Sequence, residues 1–207
     1  MSTESSAYAL VRWASLLWLL VWLPANTWAW GWQNMMHICD VGVGVACLGL
    51  WWRNALFVSS QALSAPLVGV LWGLDVFWRL AVGHHLVGGT EYMWDVHYPL
   101  WIRLLSCFHI GLPILLLWAT RVLGYDRRAL ALQTAITAVV LVFSRFLSPQ
   151  WNMNYAFQDP LFHRAWGPAP VHLAVILLGC VVIFFWPMHL LLSRIFPASP
   201  RRQAASG

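Results

Sequence analysis

The stretch that decides the fold runs from Pro170 to Phe196, "PVHLAVILLGCVVIFFWPMHLLLSRIF". No Asp, Glu, Lys or Arg interrupts it before Arg194. About 20 apolar residues are what an α-helix needs to cross the hydrocarbon of a bilayer. Five further stretches meet that test: 8–30, 34–52, 56–82, 99–123 and 129–147. The chain is 60% hydrophobic and 9% charged, where soluble domains carry about a quarter charged residues. The expectation is therefore an all-α integral membrane protein, a bundle of about six transmembrane helices. Residues 1–196 form its single domain, and the Pro/Arg-rich 197–207 is expected to be a disordered tail. Residues 8–30 resemble a signal peptide in having Arg12 before an apolar core, but their length and bulky tryptophans favour a retained span.

The twelve basic residues are all arginines, and they set the orientation. With a cytoplasmic N-terminus, Arg12, Arg53, Arg121, Arg127, Arg128, Arg194, Arg201 and Arg202 fall inside, and Arg79, Arg103, Arg145 and Arg164 fall outside. That bias predicts six spans with both termini cytoplasmic. Tryptophans gather at span ends, as at Trp28, Trp30, Trp32, Trp51, Trp52 and Trp101, in the manner of an interfacial belt. Scattered arginines without a basic stripe exclude nucleic acid as a partner. Cys39, Cys47, Cys107 and Cys180 lie in apolar segments with no CxxC spacing, which excludes a disulfide framework and a zinc site.

Mapped onto this topology, the polar residues fall on the outer side. His37, Cys39 and Asp40 occupy the outer half of the second span, Asp75 and Arg79 the outer end of the third, and Arg103, Cys107 and His109 the first half of the fourth. His172 opens the sixth. The outer loops add His84, His85, Glu91, Asp95, His97, Asn152, Asn154, Asp159 and His163. The inner half holds little beyond Gln61, Gln133 and His189. Ionisable groups at membrane depth face a bundle interior or a cavity, so one polar site opening outward is expected.

Several of these residues have structural readings. Asp75 and Arg79, at i,i+4, can pair with each other, and His37 and Asp40 share a helix face. His109, close to Pro113, can satisfy a carbonyl freed by a kink. Gly42 and Gly44 permit close helix approach, and Cys47 and Cys180 read as small apolar packers. His84, His85 and His97 match no metal-ligand spacing, so the loop reads as solvated, with no metal assigned. Cys39 is the candidate for chemistry, because a thiol with a nearby imidazole becomes a nucleophile. His37 lies about 200° round the helix from it, leaving His109 as the better base, with Asp40 or Asp75 to orient the ring. A buried, inert thiol is the alternative. Arg103, Asn152 and Asn154 are candidate oxyanion donors. With His37, Asp40, Asp75 and His172 they make up the orienting or substrate-binding set.

Met36-His37-Ile38-Cys39-Asp40-Val41, the later "LLSCFHIGLP" with His109, Asn154-Tyr155, Pro160 and Gly167-Pro168-Ala169-Pro170 occur in one order. In that order they resemble the motifs of bacterial YwaF-like integral membrane proteins, over residues 34–190. The chain also resembles uncharacterised bacterial "membrane-associated" proteins at "GYDRRAL", 124–130, and "WNMNY", 151–155. YwaF-like proteins are similar to a eukaryotic transmembrane acyltransferase that remodels ether phospholipids, and more distantly to androgen-induced intramembrane hydrolases. The resemblance implies Cys39 as nucleophile, His109 as general base and a place in the bacterial inner (cytoplasmic) membrane. This chain departs from the pattern in its enlarged 83–98 loop and in Met36 for the usual leucine.

Two functional classes follow. The first is an intramembrane lipid acyltransferase or hydrolase facing the outer leaflet, with membrane lipids as partners and no cofactor. The second is a membrane subunit without catalysis, either structural or binding haem or a pigment through its histidines. A homo-oligomer and a larger membrane complex are both left open by the residues.

Overall fold

The computed structural model describes residues 6–196; the expected disordered tail lies outside them. The described residues are helical, with no strand among them. Eight α-helices follow in order: α1 (Ser6–Trp30), α2 (Ile38–Trp51), α3 (Ala55–Val82), α4 (Leu100–Leu105), α5 (Phe108–Leu123), α6 (Ala129–Ser144), α7 (Ala169–Gly179) and α8 (Trp186–Ile195). Short 3₁₀ turns at Trp32–Met36, Glu91–Trp94, Pro149–Trp151 and Met153–Tyr155 lie in the connections.

Four helical stretches are long and apolar enough to cross a membrane: Ser6–Trp30, Ala55–Val82, Leu100–Leu123 and Ala169–Ile195. They are compatible with a multi-pass membrane protein. The other two expected spans are shorter. α2 has 14 residues and α6 has 16, lengths of about 21 and 24 Å against a hydrocarbon core of about 30 Å. The boundaries expected at 34 and 147 overshoot for local reasons. Residues 34–36 wind into the 3₁₀ turn that follows Gly31, whose φ of 81° breaks the helical path, and α6 ends at Ser144, ahead of Pro149.

α3 is the central helix, packing on α2, α5 and α6. Asn54 starts it: its side chain accepts from the Leu56 and Phe57 N–H groups, two of the donors that every helix start leaves orphaned. Its buried face is rich in small residues, Ser59, Ser60, Ala62 and Ser64, which let neighbouring backbones approach closely where lipid removes the hydrophobic drive between helices. α1 is packed into the bundle, with Tyr8 and Trp22 buried and the Tyr8 hydroxyl donating to the Leu50 carbonyl at 2.8 Å. Large apolar side chains face outward instead, among them Leu17 and Leu20 of α1, Leu74 and Phe77 of α3, and Leu178 and Ile183 near the end of the chain. Such a surface suits hydrocarbon and not water.

Two prolines break the ladder in informative ways. Pro187 lacks the N–H that would bond the Ile183 carbonyl, and a π-helical turn, Cys180–Phe185, precedes it between α7 and α8. Pro113, inside α5, frees the carbonyl of His109.

Candidate active site at the loop end of the bundle

Cys39 stands in the first turn of α2, because that helix begins at Ile38. Asn154 fixes the start. Its Oδ1 accepts the Ile38 N–H at 2.9 Å, and its Nδ2 donates to the Met36 carbonyl at 2.7 Å and the Ser144 hydroxyl at 2.9 Å. One amide thus ties the beginning of α2 to the end of α6. The Cys39 side chain packs beside Trp22, Val43 and Phe108. Its Sγ lies 3.8 Å from Asp40 Oδ1, towards which the thiol donates. The positive end of a helix dipole stabilises negative charge developing at that position. Asp40 Oδ2 accepts from Asn34 Nδ2 at 3.1 Å.

His109 is held from three sides. The expected span 99–123 breaks at Ser106–Cys107, between α4 and α5, and the Ser106 carbonyl accepts from His109 Nδ1 at 2.9 Å. A carbonyl can only accept, so in the neutral ring Nδ1 carries the proton and Nε2 keeps the basic lone pair. Trp72 of α3 lies parallel to the imidazole, centroids 5.2 Å apart and planes 9° apart, and Phe108 stacks at 4.1 Å. The freed carbonyl of His109 is accommodated by Gly69, since a Cβ at that position would run into the carbonyl oxygen and come within 2.8 Å of Pro113 Cγ. Pro113 and Gly69 therefore fix the depth of His109 together. Gly69→Ala is expected to force α3 and α5 apart at a cost of about 1–3 kcal/mol, the usual range for overpacking. Gly73→Ala, one turn on where a Cβ meets nothing within 4 Å, should leave the thermal midpoint in detergent unchanged.

Cys39 and His109 line one cavity. Its empty space, counting the mouth, is ≈ 330 Å³, and Gly42, Gln61, Ser64, Phe108, Leu112 and Pro113 complete most of its wall. The enclosed space is ≈ 20 Å³, about that of one water, so a lipid carbonyl enters only when the wall side chains move. The lining is mostly apolar, and its Gln61 is fixed from behind: Nε2 donates to Gln133 Oε1 at 3.0 Å and to the Ser60 hydroxyl at 3.1 Å. Gly42 leaves room for this amide, as a Cβ there would come within 2.9 Å of Gln61 Oε1; Gly44 has open space around it and makes no close approach.

The other expected site residues are employed elsewhere. Asp75, 1% exposed, orients no imidazole of α5 and does not pair with Arg79. Its Oδ1 accepts the N–H groups of Leu86, Val87 and Gly88 at 2.8, 2.6 and 2.9 Å. Its Oδ2 pairs with His85 Nδ1 at 2.8 Å and accepts from the Thr90 hydroxyl. The enlarged 83–98 loop is therefore tied to α3, where a solvated loop was expected. Asp40 also leaves the imidazole alone, since the Ser106 carbonyl takes the orienting part. His37 immediately precedes α2, with no capping hydrogen bond from its side chain, and is not part of the cavity wall. Arg103 Nη1 donates to the Met93 carbonyl at 2.7 Å. The Asn152 side chain closes its own loop on Phe157 and Gln158. His172, buried, donates from Nε2 to the Tyr155 carbonyl at 3.0 Å and accepts the Trp166 N–H at 3.3 Å. Arg103, Asn152, Asn154 and His172 hold loops and helix ends and do not line the cavity. Cys47 is buried and Cys180 packs against the core, as small apolar residues do.

Asn154→Ala should be costly, because it orphans the Ile38 N–H and leaves alanine at a φ of 53°. Left-handed backbone and a lost buried hydrogen bond each cost about 1–3 kcal/mol. The readout is the thermal midpoint in detergent, with Asn152→Ala as the comparison at the exposed loop.

Three contributors escaped the sequence reading. From the sequence Gln61 reads only as an inner polar residue, and neither Gly69 nor Trp72 stands out. The spacing Gly69-x-x-Trp72-x-x-Asp75, one α3 face aimed at α5 and the loop, is the signal that would have found the last two. No group of three His, Cys, Asp or Glu able to hold a metal occurs among the described residues. Comparison of the chain with protein-family models, with curated proteins and with solved structures finds no match in any of the three.

Proposed function

We propose that the protein is an intramembrane lipid acyltransferase or hydrolase in which Cys39 is the nucleophile and His109 the general base. The observation that carries this reading is the shared cavity, with Cys39 in a helix first turn and His109 presenting an unspent Nε2. The thiol turns from Asp40 to His109 Nε2, which takes its proton as sulfur attacks the ester carbonyl of a lipid. The S–C bond forms, the C–O bond breaks, and the imidazolium returns the proton to the leaving alkoxide. An acceptor hydroxyl or water then attacks the thioester with His109 again as base, regenerating the thiol. The Trp22 indole N–H, buried without a partner in the apolar cluster that holds Cys39, is an unspent donor for the developing oxyanion.

In the membrane, six spans with both termini cytoplasmic place the cavity in the outer half of a bacterial inner membrane, as the arginine bias suggests. The short α2 and α6 then stop below the outer surface, and the irregular 145–168 segment covers their ends. Backbone of that kind is tolerated at membrane depth where it is buried in protein. Membrane lipids supply both acyl donor and acceptor.

The test is acyl transfer in detergent from a diacyl glycerolipid to a labelled lysolipid. Labelled diacyl product marks a transferase, and free fatty acid without acceptor marks a hydrolase. If neither forms, or if either forms at an undiminished rate with Cys39→Ala, the reading fails.

A further inference from the structure

The 83–98 loop reaches the imidazole through one residue that the reaction above does not use. Tyr92 sits in the 3₁₀ turn Glu91–Trp94, whose approach is anchored by the three backbone N–H groups that Asp75 gathers. Its hydroxyl accepts from Trp72 Nε1 at 2.9 Å. Trp72 is the ring stacked on His109. Trp30 of α1 packs edge-on against the phenol at 6.0 Å. Burial pushes this phenol up to about 12, so it keeps its proton while its oxygen accepts from Trp72.

We propose that Tyr92 is a positioning residue for His109, acting on the imidazole through Trp72 from the 83–98 loop. This rests on the reading of His109 as the base for Cys39. A ring held only by one carbonyl and two stacking contacts can rock about the Nδ1 bond. The phenol stops Trp72 from sliding, which keeps the stacked imidazole and its Nε2 in place. Misplacement of a catalytic group by about 1 Å costs up to roughly a hundredfold in rate, so a single hydroxyl at this distance carries a measurable share.

The experiment is the rate of Cys39 alkylation by iodoacetamide at neutral pH, in a Cys47→Ala, Cys107→Ala, Cys180→Ala background. Alkylation reads base-assisted thiol reactivity without any lipid turnover. His109→Ala is expected to slow it more than tenfold, and Tyr92→Phe by about three- to tenfold. In the His109→Ala background Tyr92→Phe should have no further effect. Trp72→Phe, which keeps an aromatic ring but loses the N–H, should reproduce the Tyr92→Phe slowing. An equal slowing by Tyr92→Phe with and without His109, or none at all, overturns the proposal, because a structural role alone acts independently of the imidazole. The two readings fail separately. Lipid turnover absent while the alkylation pattern holds would sink the acyl-transfer function alone, and acyl transfer intact with additive alkylation effects would sink the role of Tyr92 alone.

Discussion

Cys39→Ala is expected to abolish acyl transfer, and His109→Ala to lower it by roughly a thousandfold or more, the scale on which nucleophile and base act as one unit. Neither change should unfold the chain. Cys39 is only half-buried and bonds nothing but Asp40, weakly, at 3.8 Å. His109 is gripped by Trp72 and Phe108, but its replacement leaves the Ser106 carbonyl with the His109 N–H it already accepts. A double variant should be no slower than Cys39→Ala alone, since a base without a nucleophile has no proton to take. The measurement is turnover of the diacyl donor by protein that still elutes as a folded species in detergent. Asp40→Asn is informative beside it. It keeps an oxygen for Asn34 and removes the carboxylate next to Sγ, so retention of turnover would show that the base is not Asp40.

The second large effect is on structure. Asp75→Ala is expected to release the 83–98 loop, because it leaves the Leu86, Val87 and Gly88 N–H groups and the Thr90 hydroxyl without their acceptor at once. A buried donor left unsatisfied costs about 1–3 kcal/mol, and the loop will swing out to find water instead of bearing the sum. Hydrogen exchange at those three amides should rise about a hundredfold, equivalent to ~3 kcal/mol of opening energy. Asp75→Asn keeps Oδ1 for the three amides and disturbs only the His85 and Thr90 contacts, so exchange there should rise tenfold or less. Equal exchange for the two variants would mean that the carboxylate does not anchor the loop.

Much of this architecture is legible in the chain itself. The long apolar runs at 56–82 and 170–196 stand out because lipid demands length and composition from a span, and α3 and the α7–α8 pair occupy them nearly to the residue. Cys39 and His109 stand out in the sequence because polar groups in a greasy helix are few, and the structure places both in the lining of one cavity. What stayed hidden depends on backbone groups, which every residue carries alike. The donors that satisfy Asp75 are three amides 11 to 13 residues away, so the Arg79 pairing at i,i+4 looked the simpler match. The delayed start of α2 rests on Asn154, 116 residues from Ile38. The fit between Gly69 and the carbonyl that Pro113 frees crosses two helices. Packing of that kind leaves no periodic trace in a single chain.

The most direct test of the central claim is the intact mass of the purified protein after brief incubation with the p-nitrophenyl ester of octanoic acid and an acid quench. The wild-type chain should gain one octanoyl group that hydroxylamine removes, Cys39→Ala should gain none, and His109→Ala should gain it far more slowly. An unmodified wild-type chain, an adduct that persists in Cys39→Ala, or equal rates of labelling with and without His109 would contradict the assignment of nucleophile and base.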